Sequence, residues 1–359
     1  MKKQKILHVI HGLTIGGVET AILSSFNDLN NDFDYNVFCI GNVDTSILTT
    51  IRSENLKKIK KIGRIKDVFF ILKFIKDNPD IILVSSLWKA HAIHFFFKKI
   101  YNFQKSVIFL HSTRFAHLFD KYCTLLSLKI ANEIWVDSDS ASSFINPFIS
   151  KPIPIIKISF LLNHSLKIKP ISIISTHVKF ISLGRLAPLK RIDLSILFIK
   201  ELRSKGIDAY LDIYGPDNGF LNQILSLIRQ SDLNNIVNYK GICDISEVES
   251  TLAQYDAFIL MSDYEGMSIS TVQAMEIGLL CFLRNVGEIT NYGNNMSNSI
   301  ILQSDKPQHW QKFINDSMEV LSNQSLQKSI LIKSKQEFKD LLTYSQDIKK
   351  NFFRLIPLH

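Results

Sequence analysis

Along this chain, short blocks of near-continuous apolar residues alternate with longer stretches in which apolar positions return at helical spacing. Lys5–Ile10 reads K-I-L-H-V-I and stops at the turn His11–Gly17; from there Val18, Ile22 and Phe26 fall on one face of a predicted helix over Val18–Leu29. The grammar recurs at Tyr35–Ile40, Asp80–Ser85, Ser106–Leu110 and Glu133–Val136, each a predicted strand and mostly followed by a helix-like segment. Strands apolar on both faces need cover on both faces, which predicts a parallel sheet between helical layers.

Near residue 150 the pattern breaks. Pro147, Pro152, Pro154 and Pro170 punctuate a stretch rich in Ile, Ser and Lys, which predicts a linker over 150–176. A second series follows, with strands at Val178–Leu183, Ala209–Tyr214, Ile236–Tyr239, Ala257–Met261 and Leu280–Leu283. Helices are predicted between them at Asp193–Lys205, Phe220–Gln230 and Ser246–Gln254, and beyond Pro307, where Trp310, Ile314 and Met318 share a face. The expected fold class is therefore α/β, with two doubly wound halves sharing one cleft. Each half places its site at the carboxyl ends of its strands.

Composition narrows the chemistry. At 359 residues the chain exceeds one ordinary core, and 46% hydrophobic with 21% charged residues is a globular balance. Cys39, Cys123, Cys243 and Cys281 stand far apart without a C-x-x-C pair, which argues against a zinc site or a disulfide framework and fits a reducing cytoplasm. The start Met1-Lys-Lys-Gln-Lys runs straight into a strand, so no signal peptide is expected, and no run of 18 apolar residues predicts a membrane span. Charge is uneven: residues 1–165 hold 21 Lys+Arg against 13 Asp+Glu, and residues 166–359 hold 21 against 20. A basic first half points to an anionic partner there, a lipid surface, a phosphorylated lipid or nucleic acid. No nucleic-acid-binding module is visible, so nucleic acid ranks last.

Ile259–Gly278 carries the densest chemistry. An apolar run ends at Ser262, a turn bears Glu265 and Gly266, and a helix is expected to begin near Ser270. A helix N-terminus offers unpaired N–H groups to an anion, and a carboxylate accepts bonds from sugar hydroxyls. Gly184–Lys190 follows a strand directly, so Arg185 and Lys190 can converge on a diphosphate. The turn Gly12–Gly17 is either a phosphate contact or a tight turn requiring positive φ. It is neither G-x-G-x-x-G nor a Walker loop, which removes the usual support for a dehydrogenase or an ATPase.

His111, just after a strand, is placed to bond a substrate hydroxyl or stabilise developing charge. The alternative for it is a histidine merely bonded to backbone, which is the reading expected of His8, His11, His91 and His94. Asp137-Ser-Asp139 resembles a metal-binding D-x-D pair, but where it opens a helix it reads as a cap. Lys89–Lys105 is a helix with apolar Ile93, Phe96, Phe97 and Ile100 beside Lys89, Lys98, Lys99 and Lys105. Either it packs ordinarily on the sheet, or its edge rests on anionic lipid.

Together these residues resemble the GT-B glycosyltransferases, specifically glycosyltransferase family 4. Gly16-Gly17 with Glu19, His111 after the fourth strand, Arg185 with Lys190, and Glu265-Gly266 leading to Gln273-Ala-Met275 appear in the family's order over nearly the whole chain. The resemblance implies an acceptor-binding Rossmann-like domain over 1–165, a nucleotide-sugar-binding one over 166–340, and a C-terminal helix within 341–359 packing back on the first. It implies that Gly17 N–H meets the donor's distal phosphate and that Arg185 and Lys190 neutralise the diphosphate. His111 would flank the transferred sugar, Glu265 would bond its hydroxyls, and Met267 and Ser268 would offer amides.

It further implies retention of configuration with no metal or other cofactor, the co-substrate being a nucleotide diphosphosugar, a UDP-sugar first among them. Where the family carries a second glutamate for the ribose hydroxyls, this chain has Gln273. That residue is expected either to grip ribose or to cap its own helix, as N3 of a capping box begun by Ser270. The family's Asn-Gly-x-Asp segment survives only as Leu162-Asn163-His164.

The expected activity is hexosyl transfer to a glycan acceptor, such as a polyprenyl-diphosphate-linked oligosaccharide for O-antigen, lipopolysaccharide or capsule. The expected place is the cytoplasm, with peripheral contact on the inner face of the membrane. The alternatives are a non-catalytic nucleotide-sugar-binding subunit and a GT-B-fold sugar-nucleotide epimerase.

Overall fold

The computed structural model describes residues 3–63, 65–101, 103, 105–162, 169, 174 and 177–356. Asn163 and His164 of the degenerate segment lie outside the described residues. The chain forms two compact units, Met1–Asn163 with Leu342–His359, and His164–Leu341.

In the first unit the strands are β1 (Lys5–Ile10), β2 (Asp34–Cys39), β3 (Ile59–Lys61), β4 (Ile82–Ser86), β5 (Ser106–Leu110), β6 (Glu133–Val136) and β7 (Ile155–Lys157). Its helices are α1 (Gly17–Asp32), α2 (Ser53–Leu56), α3 (Ile65–Lys76), α4 (Trp88–Ile100), α5 (Leu118–Leu128) and α6 (Asp139–Ile145). The second unit has β8 (His177–Leu183), α7 (Ile192–Ser204), β9 (Asp208–Tyr214), α8 (Leu221–Gln230), β10 (Val237–Tyr239), α9 (Val248–Leu252) and β11 (Ala257–Leu260). It continues with α10 (Ile269–Ile277), β12 (Leu280–Arg284), α11 (Ile289–Tyr292), β13 (Ile300–Leu302), α12 (Pro307–Ser322) and α13 (Gln324–Gln336). The last helix, α14 (Tyr344–Leu355), belongs to the first unit.

Seven strands pair in the order β3-β2-β1-β4-β5-β6-β7 and six in the order β10-β9-β8-β11-β12-β13. Every strand pair is parallel. The order reverses direction after β1 in one sheet and after β8 in the other, the switch points at which such sheets open a crevice beyond their strand ends. α3 and α4 cover β1, β2 and β4 through Ile71, Ile75, Ala90 and Phe97. In the second unit Phe180, Phe198, Phe282 and Phe313 pack edge-to-face and tilted into one aromatic centre.

The predicted linker begins too early. Ile155–Lys157 is an edge strand, with Ile155 opposite Ile134 of β6. Pro152 and Pro154 just before it hide the signal, since proline is tolerated at the start of an edge strand. The segment predicted as one helix over Ser246–Gln254 is a 3-10 turn, Ile245–Glu247, leading into α9.

Candidate functional site

Two strand-end loops of the second unit build the candidate site of that unit. The loop after β8 passes Gly184 and Arg185 into a 3-10 turn, Pro188–Lys190. The loop after β11 carries Glu265 to the start of α10. Asp263 N–H donates to the Leu189 carbonyl at 2.8 Å, which ties the loops together. As a result Lys190 Nζ donates to Glu265 Oε1 at 2.6 Å, the two side chains being 18% and 10% exposed. Arg185 is exposed and has no ion-pair or hydrogen-bond partner among the described residues.

A charged ladder behind this pair was not anticipated from the sequence. Arg191, at φ 46, bonds Asp193, Asp263 and Asp305, while Arg284 at the end of β12 bonds Asp263 and, at 2.9 Å, Asp305. The bonds to Asp193, then those to Asp305 and Asp263, hold the Arg191 guanidinium above its ordinary range. Loops following β8, β11, β12 and β13 thus share one ionic knot directly beside Lys190 and Glu265. The only sequence signal was an acidic or basic residue at each strand end.

Gly287 supports the same turn. Its φ is +55, and a Cβ added there would stand 1.9 Å from the Glu265 carbonyl oxygen. Only glycine lets the loop after β12 press so closely on the Glu265–Gly266 turn. The next residue, Glu288, donates its N–H to the Gly266 carbonyl at 3.4 Å.

α10 begins at Ile269, and its N-cap is Ser268, whose hydroxyl bonds Thr271 Oγ1 at 2.8 Å and not a backbone N–H. This corrects the predicted capping box. Ser270 lies inside the helix, and Gln273 is two positions beyond the N3 site that a box requires. Gln273 is half-buried, with no hydrogen-bond partner among the described residues. The Ser268 side chain makes no cap hydrogen bond, so the first-turn N–H groups of α10 carry positive potential beside Met267 and Ser268.

In the first unit, Gly16 is the N-cap of α1 with no side-chain cap. Its φ of −170 is ordinary extended backbone, so the expected positive-φ turn is not what requires glycine here. At Gly12 room does, since a Cβ there would come within 2.9 Å of the Asn42 carbonyl oxygen, whereas at Gly16 it would meet only the movable carboxylate of Glu19. Gly17 is the exposed first residue of the helix.

His111 follows β5, but its ring turns inward, with a side chain only 2% exposed. Nε2 lies 3.0 Å from Ser86 Oγ, which lies 2.8 Å from His8 Nε2, and His8 Nδ1 lies 2.7 Å from the Tyr35 hydroxyl. Nδ1 of His111 stands 3.5 Å from Asp137 Oδ2, too long to be a good hydrogen bond. His8 and His94 bond side chains, Tyr35, Ser86 and Ser85, and not the backbone as expected, while His91 bonds Thr124 and faces the Phe109 carbonyl; burial lowers the three to about 3, about 3 and about 4. Ser138 caps α6 by accepting from Ala141 N–H, while Asp139 pairs with Lys157 at 2.6 Å and Asp137 turns toward His111. The two carboxylates of the D-x-D segment thus go separate ways.

The comparisons with known proteins bear on the fold and on the class of enzyme. No curated protein matches the chain by sequence. Among solved structures, HepE of Anabaena in complex with UDP-glucose is similar at a TM-score of 0.81 with 13% identity, over 98% of this chain and 100% of that one. Sucrose-phosphate synthase of Thermosynechococcus elongatus follows at 0.78 with 12% identity, over 98% and 99%. A glycosyltransferase of Rickettsia africae gives 0.72 with 15% identity, over 98% of each chain. These likenesses show the GT-B fold. Residues 166–337, which hold Arg185, Lys190, Glu265 and the start of α10, match the family model for glycosyl transferases group 1, and the chain is accordingly a glycosyltransferase enzyme.

Proposed function

We propose that the chain transfers a sugar from a nucleotide diphosphosugar, a UDP-sugar, to a glycan acceptor. The mode is the retaining, metal-independent one of glycosyltransferase family 4. The acceptor we favour is a lipid-linked oligosaccharide of surface polysaccharide synthesis. The observation that carries the reading is the ion pair Lys190–Glu265, set beside an exposed Arg185 and the N-terminus of α10. In that grouping, cations and amide dipoles suit a diphosphate and a carboxylate suits sugar hydroxyls.

In this reading the bond from the anomeric carbon to the donor phosphate breaks as the acceptor oxygen bonds that carbon. The acceptor's proton leaves with the nucleoside diphosphate. Arg185 and Lys190 hold the charge that develops on the leaving phosphate, as preorganised cations do in a partly desolvated site. Glu265 orients the sugar through its hydroxyls, amides of Met267 and Ser268 flank the phosphate, and Gln273 reaches ribose. In the first unit, Gly16 and Gly17 would offer backbone N–H groups to a phosphate at the start of α1, whereas the His111 ring, turned inward onto Ser86, is not presented to a sugar. The bound ligands of HepE support the choice of UDP.

Purified protein supplied with a panel of nucleotide sugars and glycan acceptors tests the reading. Arg185→Ala and Glu265→Ala should each lower transfer by about a hundredfold, the scale of removing one preorganised electrostatic contact. Unchanged turnover in both removes the site assignment. Neutral Gln273 gives one specific reason for a second reading, a nucleotide-sugar-binding subunit. Donor binding with no transfer to any acceptor would favour it.

A further inference from the structure

The Asp263 carboxylate accepts from Arg191 Nη1 at 3.4 Å and also from Arg284 Nη1. Asp305 turns one oxygen to each of the same two arginines, at 3.0 Å from Arg191 and 2.9 Å from Arg284. The four side chains therefore close a ring of alternating charge, Arg191–Asp263–Arg284–Asp305. Its members stand at or past the carboxyl ends of four different strands, β8, β11, β12 and β13. A single exposed ion pair contributes little, but a closed network built on forked guanidiniums fixes geometry. Arg284, with a side chain 13% exposed, is its most buried member.

Arg191 sits at φ 46 and ψ 46, left-handed backbone that is costly for any residue with a Cβ. Glycine would adopt that turn freely, so what the arginine adds here is its side chain. Asp193 takes Nε at 3.2 Å and Nη2 at 3.1 Å. Both guanidiniums are thus spent on carboxylates, and the ring offers no cation to a diphosphate.

Lys190 immediately precedes Arg191, and Glu265 lies two residues beyond Asp263. Side chains therefore join the β8 and β11 loops twice, through Lys190–Glu265 and through Arg191–Asp263. The first link does not outlast donor binding, since Lys190 turns to phosphate and Glu265 to sugar hydroxyls. The second uses no group that meets the donor, and Arg284 and Asp305 anchor it to β12 and β13.

We propose that the ring is a positioning device for sugar transfer. Arg191, Asp263, Arg284 and Asp305 hold the loops bearing Lys190 and Glu265 in register once the donor has split that ion pair. The inference rests on the donor-site reading of Lys190 and Glu265. A lysine on its flexible stem can still reach a bound phosphate from a loosened loop. It cannot hold its place as charge develops there, so the ring acts on kcat more than on affinity.

Asp305→Asn and Arg191→Gly each open the ring, and the glycine keeps the left-handed turn. Each should lower kcat about tenfold, read as UDP release from the nucleotide sugar that the parent uses best. Affinity for UDP, by titration calorimetry, should stay within about twofold of the parent. Arg203→Ala is the control. It removes a partly exposed ion pair to Asp208, 2.8 Å long, at the amino end of the same sheet, and should leave kcat unchanged. Rates are read well below each variant's melting temperature, so a ring that only stabilises the fold leaves kcat at the parent value and overturns the proposal. UDP affinity that falls as far as kcat also overturns it, because the ring would then contact the donor. An equal loss in Arg203→Ala does the same. Arg185→Ala and Glu265→Ala are run alongside. If both keep parent turnover, the donor-site reading fails and takes this inference with it. If both lose turnover while Asp305→Asn and Arg191→Gly keep theirs, the inference alone fails.

Discussion

At the scale of single residues, the informative departure is Gln273. With the α10 N-cap at Ser268, the side chain is not drawn into capping, so a change there tests the proposed ribose contact without disturbing a cap. Gln273→Glu should tighten donor binding about fivefold, the gain of a charged over a neutral acceptor. Titration calorimetry with nucleoside diphosphate measures it, and an unchanged affinity places ribose elsewhere. The residue types of this half-site were legible before the fold was known, because Arg185, Lys190 and Glu265 each sit just past an apolar run. That Lys190 and Glu265 pair with one another was not legible. They lie 75 positions apart, and spacing along a chain carries no distance across a sheet. Lys190→Ala should therefore do two things: slow transfer about a hundredfold, and leave a nearly buried carboxylate unpaired at a cost of about 1–3 kcal/mol. Urea denaturation separates the second effect from the first, and Glu265→Gln in the same background should recover part of the stability without recovering activity.

At the scale of elements, the loops that shape the site are held by contacts with little sequence signature. Gly287 looks like any loop glycine, yet its positive φ and its place against the Glu265 carbonyl leave no space for a side chain. Gly287→Ala should cost about 1–3 kcal/mol and shift the Glu265 turn, so that donor affinity falls along with stability. A fully stable variant with wild-type donor binding would show that the loop yields freely. The N-terminus of α10 misleads in the other direction. Ser268 and Ser270 are both capping residues, and the sequence favours the second because Gln273 completes its box. The backbone chooses the first, where the Ser268 hydroxyl finds Thr271.

The histidines of β1 and α4 give these elements a pH dependence. His8, His91 and His94 titrate at about 3, about 4 and about 3 in the folded chain because burial disfavours the imidazolium. Below the unfolded value near 6.5 the unfolded chain takes up protons that the folded chain does not. Stability is thus complete above that value and declines as pH falls toward 4, by roughly 1 kcal/mol per histidine per pH unit. Melting temperature should drop steeply between pH 6.5 and pH 5, and a flat profile would contradict the buried, neutral assignment.

At the scale of the molecule, the alternation of strand and helix was enough to give two parallel α/β halves, because a doubly covered strand announces itself locally. What closes the first half is not local. α14 lies against β2 and β6, its Phe352 ring within 5.6 Å of Phe33 and 5.3 Å of Trp135 between centroids. Arg354 grips both oxygens of Glu133, at 2.8 and 2.6 Å, and Asp347 accepts from the Ser159 N–H at 2.8 Å. Partners such as Ser159 and Asp347, 188 positions apart, leave no trace in periodicity. Phe352 is completely buried, so Phe352→Ala should cost about 3–5 kcal/mol by transfer and cavity terms together. A domain's whole stability is about 5–15 kcal/mol, so that loss is large for the first unit. The contacts of Phe352 lie within that unit, so calorimetry should show one transition moved down and a second, from residues 164–341, left in place. Arg354→Ala should shift the same transition by less, since the Arg354 side chain is 44% exposed and its ion pair with Glu133 is partly screened. If Phe352→Ala instead lowers both transitions equally, the two units do not unfold as separate cooperative bodies, and the stability of the donor half cannot be assigned to its own core.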